Sequence, residues 1–234
     1  DMDHAKEYAP TDGIEAKEYR GCTSNFTVMD KYGNVISQTQ TIRNWWGSGV
    51  VIPGRGFIMN NAMADFSAKA GVRTTQGLAY GMANAIRPGK TPLSSMSPTI
   101  VMKDGKPVLS VGAAGGPRII TSTLQLIINN LDYGMMMDSA VKHPHMCCLT
   151  LNQGLELEEG FSPDTIKLLA AKGHIVKNTT DFGELLVMPN GIRNIDGTFF
   201  PGGTSRVDGG GGALTASGTM AIDGLCFIDE KLTK

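Results

Sequence analysis

A hydroxyl becomes a useful nucleophile only beside a base, and an N-terminal threonine carries its own in the form of a free α-amine that titrates near neutrality. Thr23 is the candidate, because it opens the first alternating apolar run of the chain. It is internal here, so cleavage of the Cys22–Thr23 bond must create the amine; in the uncut chain its hydroxyl can attack the preceding carbonyl and release the upstream segment. Gly115-Gly116 stands at the start of a helix-spaced run, where successive backbone N–H groups attract developing negative charge and glycine permits close approach. Ser94-Ser95 can donate hydrogen bonds to a carboxylate, and Asp65 can hold an ammonium. Each pattern also has an ordinary structural alternative. A threonine can simply open a strand, and paired glycines make tight turns. Paired serines make turns or caps, and an aspartate caps a helix or joins a loop ion pair.

The elements that must position these residues are legible in part. Phe26 and Val28, then Val35, Ser37, Thr39 and Thr41, alternate as strands do. The intervening Asp30-Lys31-Tyr32-Gly33-Asn34 suits a three-residue hairpin loop with a bulge, Gly33 supplying the positive φ. Such a loop pairs Asp30 with Asn34 and carries Thr23 opposite Thr41, on one sheet face. A second hairpin joins Pro98–Met102 to Pro107–Val111 through an Asp-Gly turn at Asp104-Gly105. Carried to its far end, that register sets Ser94 opposite Gly115 and Ser95 opposite Ala114. Pro107 marks a strand start or an edge. Ile119, Ile120, Leu124, Ile127, Ile128 and Leu131 have helical spacing, with Pro117 in the first turn and Gly134 as the stop. Ser162-Pro163-Asp164 opens another helix that Gly173 ends. Strands are expected at 184–188 and 192–195, separated by Pro189-Asn190-Gly191. Gly209 to Gly212 reads as a loop or tight bend, followed by a short strand within 220–228. Hairpins with intervening helices give an α+β layered domain rather than a doubly wound parallel sheet.

The bulk properties bound the rest. The chain has 234 residues, 41% apolar and 18% charged, and a net charge of −1. That is ordinary for a globular protein with a sizeable core, and the charge gives no footprint for nucleic acid or an anionic membrane. No apolar run reaches the length a bilayer needs. Residues 1 to about 20 are charged without a sustained apolar period and read as a tail or linker. The four cysteines lack metal-ligand spacing; Cys147-Cys148 reads as core or loop, and His143-x-His145, which brackets a proline, as structural or surface.

Taken together, several stretches resemble the small catalytic subunit of the γ-glutamyltransferases. They are Thr23-Ser24-Asn25-Phe26, Asp30-Lys31-Tyr32-Gly33-Asn34, Gly47-Ser48-Gly49-Val50, Asn60-Asn61-Ala62-Met63-Ala64-Asp65-Phe66-Ser67, the block from Arg87 to Ile100 containing Pro92-Leu93-Ser94-Ser95-Met96-Ser97-Pro98-Thr99, and Gly112 to Ile120. The resemblance runs from about Thr23 to Val176. It implies a four-layer αββα fold of the N-terminal-nucleophile hydrolase type, with 1–22 as the tail of a large subunit or pro-segment and 23–234 as the catalytic small-subunit domain. By position it implies Thr23 as nucleophile, Thr41 as the threonine that contacts and tunes it, and Gly115 and Gly116 as the oxyanion hole. Ser94 and Ser95 match the pair that binds the substrate α-carboxylate, and Asp65 the group that binds its α-ammonium. The implied reaction is cleavage or transfer of a γ-glutamyl amide through a threonine acyl-enzyme. It uses no metal or organic cofactor, and its partner is a large subunit from the same precursor. Localisation is unknown from these residues; the resemblance implies the periplasm or the cell exterior.

The departures from that pattern carry an expectation of their own. The usual Thr-Thr-His is Thr23-Ser24-Asn25 here. A substrate-holding asparagine is replaced by Arg43, a second group on the α-ammonium by Ala62, and a site-closing tyrosine by Gln76. Arg43 sets a fixed cation where a substrate cation would sit, or pairs with Asp65 and neutralises it. A free γ-glutamyl amine is then recognised poorly. An acyl group with a second carboxylate or an amidated nitrogen fits better, as for the cephalosporin-type acylases and poly-γ-glutamate hydrolases; a chain in which Thr23 stays internal is instead an unprocessed, inactive fragment.

Overall fold

The computed structural model describes residues 23–69, 80–149, 154–178, 187–206, 211–214 and 220–223. The expected tail 1–22, Gln76, Cys226, Gly209 and Gly210, residues 184–186 of an expected strand and the end of the last one lie outside the described residues. In chain order the elements are β1 (Thr23–Met29), β2 (Val35–Thr41), β3 (Thr99–Lys103), β4 (Lys106–Ala114), α1 (Ile119–Leu131), α2 (Met137–Lys142), β5 (Met146–Cys147), β6 (Leu155–Leu157), α3 (Pro163–Ala171), β7 (Val176–Asn178), β8 (Met188–Ile195), β9 (Thr198–Gly203), β10 (Gly211–Leu214) and β11 (Met220–Asp223).

The first hairpin has the expected register throughout, from Thr23 opposite Thr41 to Met29 opposite Val35. Its loop closes as the turn chemistry requires, with Asp30 N donating to Asn34 O at 3.1 Å and Gly33 at φ +89°. This two-stranded sheet lies face to face on a second, antiparallel sheet ordered β3-β4-β8-β9. Two hydrogen bonds pin the sheets together. Ser37 Oγ donates to Val111 O at 3.0 Å, and Asn190 Nδ2 donates to Asn25 O at 2.8 Å. α1 and α2 cover the opposite face of the second sheet. There Leu109, Val111, Leu126, Met137, Ala140 and Val141 form a closed apolar core. Leu109, Leu126 and Met137 are fully buried, and burying each contributes roughly 1.5–3 kcal/mol. A third small sheet, β5-β6-β7, flanks α1.

The architecture is therefore α+β, with helices on a sheet and that sheet on another. The outer face of β1–β2 carries exposed Phe26, Val28 and Ile36. α3 starts as its sequence dictates, with the Ser162 hydroxyl accepting from Thr165 N at 3.1 Å.

Three expectations are corrected. The second hairpin turns at Asp104-Gly105, but its register slips between Val101 and Met102, so that Val101 faces Leu109 and Thr99 faces Val111. The extra residue on β4 is a bulge, and pairing begins only at Thr99. Ser94 is consequently not paired with Gly115, nor Ser95 with Ala114. Pro189-Asn190-Gly191 is not a turn but the middle of β8. Pro189 pairs with Ala113 alone, while pairing to β9 begins at Asn190, so its missing N–H breaks no second ladder. Gly191 supplies room, since a Cβ there would stand 2.7 Å from Val111 Cγ1 and 2.8 Å from the Met137 thioether. Gly211 and Gly212 belong to β10 rather than to a loop. α1 forms where the spacing predicts it, with only part of that apolar set turned inward, Ile127 packing against the core. Ile119, Ser122, Thr123, Leu126 and Asn130 are buried, whereas Ile120, Leu124 and Leu131 are exposed.

Candidate active site

Antiparallel pairing brings two half-buried threonines to the same end of the first hairpin. Thr23 Oγ1 donates to Thr41 Oγ1 at 3.0 Å. Thr41 Oγ1 also accepts the Arg43 backbone N–H at 2.8 Å. The second bond depends on an uncommon backbone, because Arg43 sits at φ +73° just past the end of β2. That conformation is disfavoured for a residue with a Cβ, and the side-chain contacts hold it. Arg43 Nε donates to Asp65 Oδ1 at 2.7 Å, Nη1 to Asn44 Oδ1 at 3.1 Å and Nη2 to Ala64 O at 3.3 Å. The Arg43 and Asp65 side chains keep 18% and 32% of their exposure, so this is a partly solvated pair rather than a sealed one.

Asp65 ends a short 3-10 turn, Ala62–Asp65. Asn84 links that turn to the serine pair: its Nδ2 donates to Asp65 O at 2.7 Å and its Oδ1 accepts from Leu93 N at 3.0 Å. Ser94 Oγ accepts from Met96 N at 3.2 Å, and Ser95 Oγ donates to Gly116 O at 2.9 Å. Gly115 and Gly116 have φ of +140° and +61° and lead through a 3-10 turn, Gly116–Arg118, into α1. A cleft of about 320 Å³ runs from Thr23 along β1, with Ala114, β8, the end of β9 and Gly211-Gly212 on its other sides. Arg43, Asp65, Ser94 and Ser95 are not among its lining residues.

The candidate residues thus fall into two linked groups. Thr23, Thr41, Arg43 and Asp65 form one continuous chain of hydrogen bonds. Ser95 and Gly116 form another, joined to the first through Asn84. Sequence reasoning missed Asn84, which no periodicity marks. It also missed Tyr80, whose hydroxyl pKa is raised by burial and then by the Asp65 carboxylate, with Arg43 opposing. Asn25 stands where a histidine was expected and spends its amide Nδ2 on Thr39 Oγ1 at 2.7 Å and Gln38 O at 3.0 Å. The structure places His145 in the interior, its Nδ1 2.9 Å from Ser122 Oγ. Cys147 is buried in β5, and Cys148 is exposed. Among the described residues no helix is long and apolar enough to cross a membrane.

A family model, Gamma-glutamyltranspeptidase, matches residues 1–209. The chain belongs to the gamma-glutamyltranspeptidase family. It is 46% identical over 172 residues to a glutathione hydrolase proenzyme of Escherichia coli, a match that covers 72% of this chain and 30% of that protein. It is 35% identical over 229 residues to the Acylase ACY 1 proenzyme of a Pseudomonas species, covering 97% of this chain and 37% of that one. The crystal structure of a Helicobacter pylori gamma-glutamyltranspeptidase mutant superposes with a TM-score of 0.71 at 39% identity, covering 78% of this chain and 99% of that chain. The family fold is that of N-terminal-nucleophile hydrolases. The chain spans 30% and 37% of the two curated relatives named above.

Proposed function

We propose that this chain is the nucleophile-bearing part of a gamma-glutamyltransferase-type enzyme that cleaves or transfers an acyl amide through Thr23. The supporting observation is the Thr23–Thr41 hydrogen bond of 3.0 Å, at the N-terminal edge of a strand whose preceding bond is the expected cleavage point. In the uncut precursor, Thr23 Oγ attacks the Cys22 carbonyl carbon, the peptide bond to the Thr23 nitrogen breaks, and water hydrolyses the resulting ester. The freed α-amine then serves as base. It takes the hydroxyl proton as Oγ adds to the substrate carbonyl, and returns it to the departing amine nitrogen. Gly115 and Gly116 supply N–H groups to the oxyanion. Water completes hydrolysis of the acyl-enzyme, or an amine completes transfer. Thr41 orients Thr23, and Ser94, Ser95 and Asp65 bind the acyl donor.

Residues 1–22 then belong to the large subunit or pro-segment and 23–234 to the catalytic small-subunit domain. The remainder of the precursor is the partner. Its cover over Phe26, Val28 and Ile36 would supply the fourth layer of the αββα stack.

The Arg43–Asp65 pair favours a second reading within the same scaffold, a cephalosporin- or glutaryl-type acylase or a poly-γ-glutamate hydrolase. Asp65 already has a cation at 2.7 Å, so a substrate α-ammonium meets a neutralised partner and a like charge. The full precursor, expressed beside Thr23→Ala, tests the shared core. A new N-terminus at Thr-Ser-Asn-Phe in the wild type alone supports it; an uncut chain in both refutes it. Turnover of γ-glutamyl against glutaryl anilides separates the two donor classes.

A further inference from the structure

Outside the Thr23 cluster lies a second polar knot, deeper than the first. The Glu158 and Arg206 side chains are 0% and 1% exposed. Arg206 Nε donates to Glu158 Oε1 at 2.8 Å and Nη2 to Oε2 at 2.5 Å, a bidentate fork. Its remaining donors reach backbone at the end of α2, with Nη1 on Val141 O at 2.7 Å and Nη2 on His143 O at 2.9 Å. Glu158 Oε2 also accepts His145 N at 2.7 Å, and Glu158 N donates to His145 O at 3.0 Å. Desolvating two charges is costly, and geometry of this quality offsets the cost without making the pair a strong source of stability. Its place in the fold offers a use.

Arg206 N donates to the hydroxyl of buried Thr204 at 3.2 Å. Thr204 lines the cleft that begins at Thr23, together with Pro201, Gly202 and Gly203 of β9. That strand has no slack. A Cβ on Gly202 would stand 2.8 Å from backbone atoms of Met137 and Asp138, and one on Gly211 would stand 2.9 Å from Pro201 Cβ. The β9 wall is thus gripped between α2 and β10, and its outgoing end is fixed by Arg206 to the same helix. Resting on the reading of Thr23 as nucleophile, we infer that Arg206 and Glu158 are positioning residues for acyl transfer. They hold the glycine-lined β9 wall at its distance from Thr23, and through it set how the amine side of the scissile amide is seated.

Arg206→Lys in the full precursor tests this, because lysine keeps the charge but not the fork or its paired reach to two carbonyls. The expected result is a matured, folded enzyme. KM for a bulky peptide amide should rise at least tenfold with kcat within about threefold, while KM for a small anilide of the same acyl group changes little. A lowered melting temperature with both KM values unchanged, counted per acylated Thr23, would overturn the inference and leave a purely structural pair. Should Arg206→Lys fail to fold, Arg206→Met with Glu158→Leu removes both charges together and leaves neither unpaired; the same selective rise in KM is expected. A wild type that never forms an adduct at Thr23 overturns the functional reading itself, and this inference with it.

Discussion

Arg43→Asn is the perturbation that most directly probes donor choice. In the native chain Asp65 Oδ1 lies 2.7 Å from Arg43 Nε. Removing the guanidinium leaves a carboxylate with no cation at that atom. An ammonium about 4 Å from it, at an effective dielectric near 20, gains about 4 kcal/mol before desolvation. Asp65 keeps 32% of its side-chain exposure, so solvent screening reduces this to about 1–2 kcal/mol. Since 1.36 kcal/mol is tenfold, kcat/KM for a γ-glutamyl anilide should rise roughly 5- to 30-fold relative to a glutaryl anilide. Folding stability should change little. The ion pair is partly exposed, and asparagine tolerates the φ of +73° at this position better than arginine does. The assay is release of the aniline from both donors, normalised to the fraction of chains beginning at Thr23. A glutaryl/γ-glutamyl ratio that does not move, or that moves toward glutaryl, refutes the claim that Arg43 neutralises Asp65. Asp65→Asn in the Arg43→Asn background should return the ratio toward the native value.

Thr41→Val preserves shape but leaves the Thr23 hydroxyl and the Arg43 N–H without their shared acceptor. A cost of about 1–2 kcal/mol in denaturant unfolding is expected, with kcat lowered at least about tenfold because the nucleophile loses its orientation; a native kcat would count against Thr41. His145 gives a pH dependence. Burial first, then Arg206, hold its pKa down to about 3 from 6.5, with weaker opposed contributions from Ala140 O and His143. The unfolded chain therefore binds a proton below pH 6.5 that the folded chain refuses, so stability is full above 6.5 and falls as pH drops toward 3. Between pH 6.5 and 4.5 the loss from this group is about 2 kcal/mol, and His145→Gln should flatten that part of the unfolding curve; an unchanged slope would contradict it. Gly202→Ala should cost about 1–3 kcal/mol through overlap with the α2 backbone, read as a drop in melting temperature, whereas a neutral result would mean that α2 and β9 are not clamped.

The sequence made the first hairpin fully legible because its register is set locally. Asp30, Gly33 and Asn34 fix the loop, and the loop fixes every pair back to Thr23 and Thr41. The second hairpin shows where that logic stops. Asp104-Gly105 announces the turn, but nothing local marks the slip between Val101 and Met102, and the error propagates to Ser94 and Gly115. Pro189-Asn190-Gly191 has the composition of a turn. It is a strand because Pro189 has a ladder on one side only and Gly191 must fit beneath Met137, both of which are tertiary facts. α1 is legible as a helix, yet polar Ser122, Thr123 and Asn130 are buried on it beside Ile119 and Leu126, where His145, Ser97 and the Leu126 carbonyl meet them. Arg43 reads from the sequence as a misplaced charge; its backbone bond to Thr41 Oγ1 goes with a positive φ that no residue pattern announces.

The alternation that makes β1 legible also leaves one face of the first hairpin apolar and exposed. Side chains one residue apart point to opposite faces, so the pattern that turns Thr23, Asn25 and Thr27 toward the second sheet turns Phe26 and Val28 away from it. Ile36 of β2 lies on the same outward face, opposite Val28. All three are exposed. The second sheet pins the hairpin by Ser37 on Val111 and Asn190 on Asn25, two hydrogen bonds near its middle. The threonine end is held by Thr41, Arg43 and Asp65, and Thr41 and Asp65 are residues to which the proposed chemistry gives a role. On the proposed reading, nucleophile geometry and donor recognition would therefore be one hydrogen-bonded unit on a sheet whose outer face carries exposed apolar side chains. Whatever covers Phe26, Val28 and Ile36 also stiffens that unit, so a cover supplied by the rest of the precursor would couple assembly directly to the reactivity of Thr23.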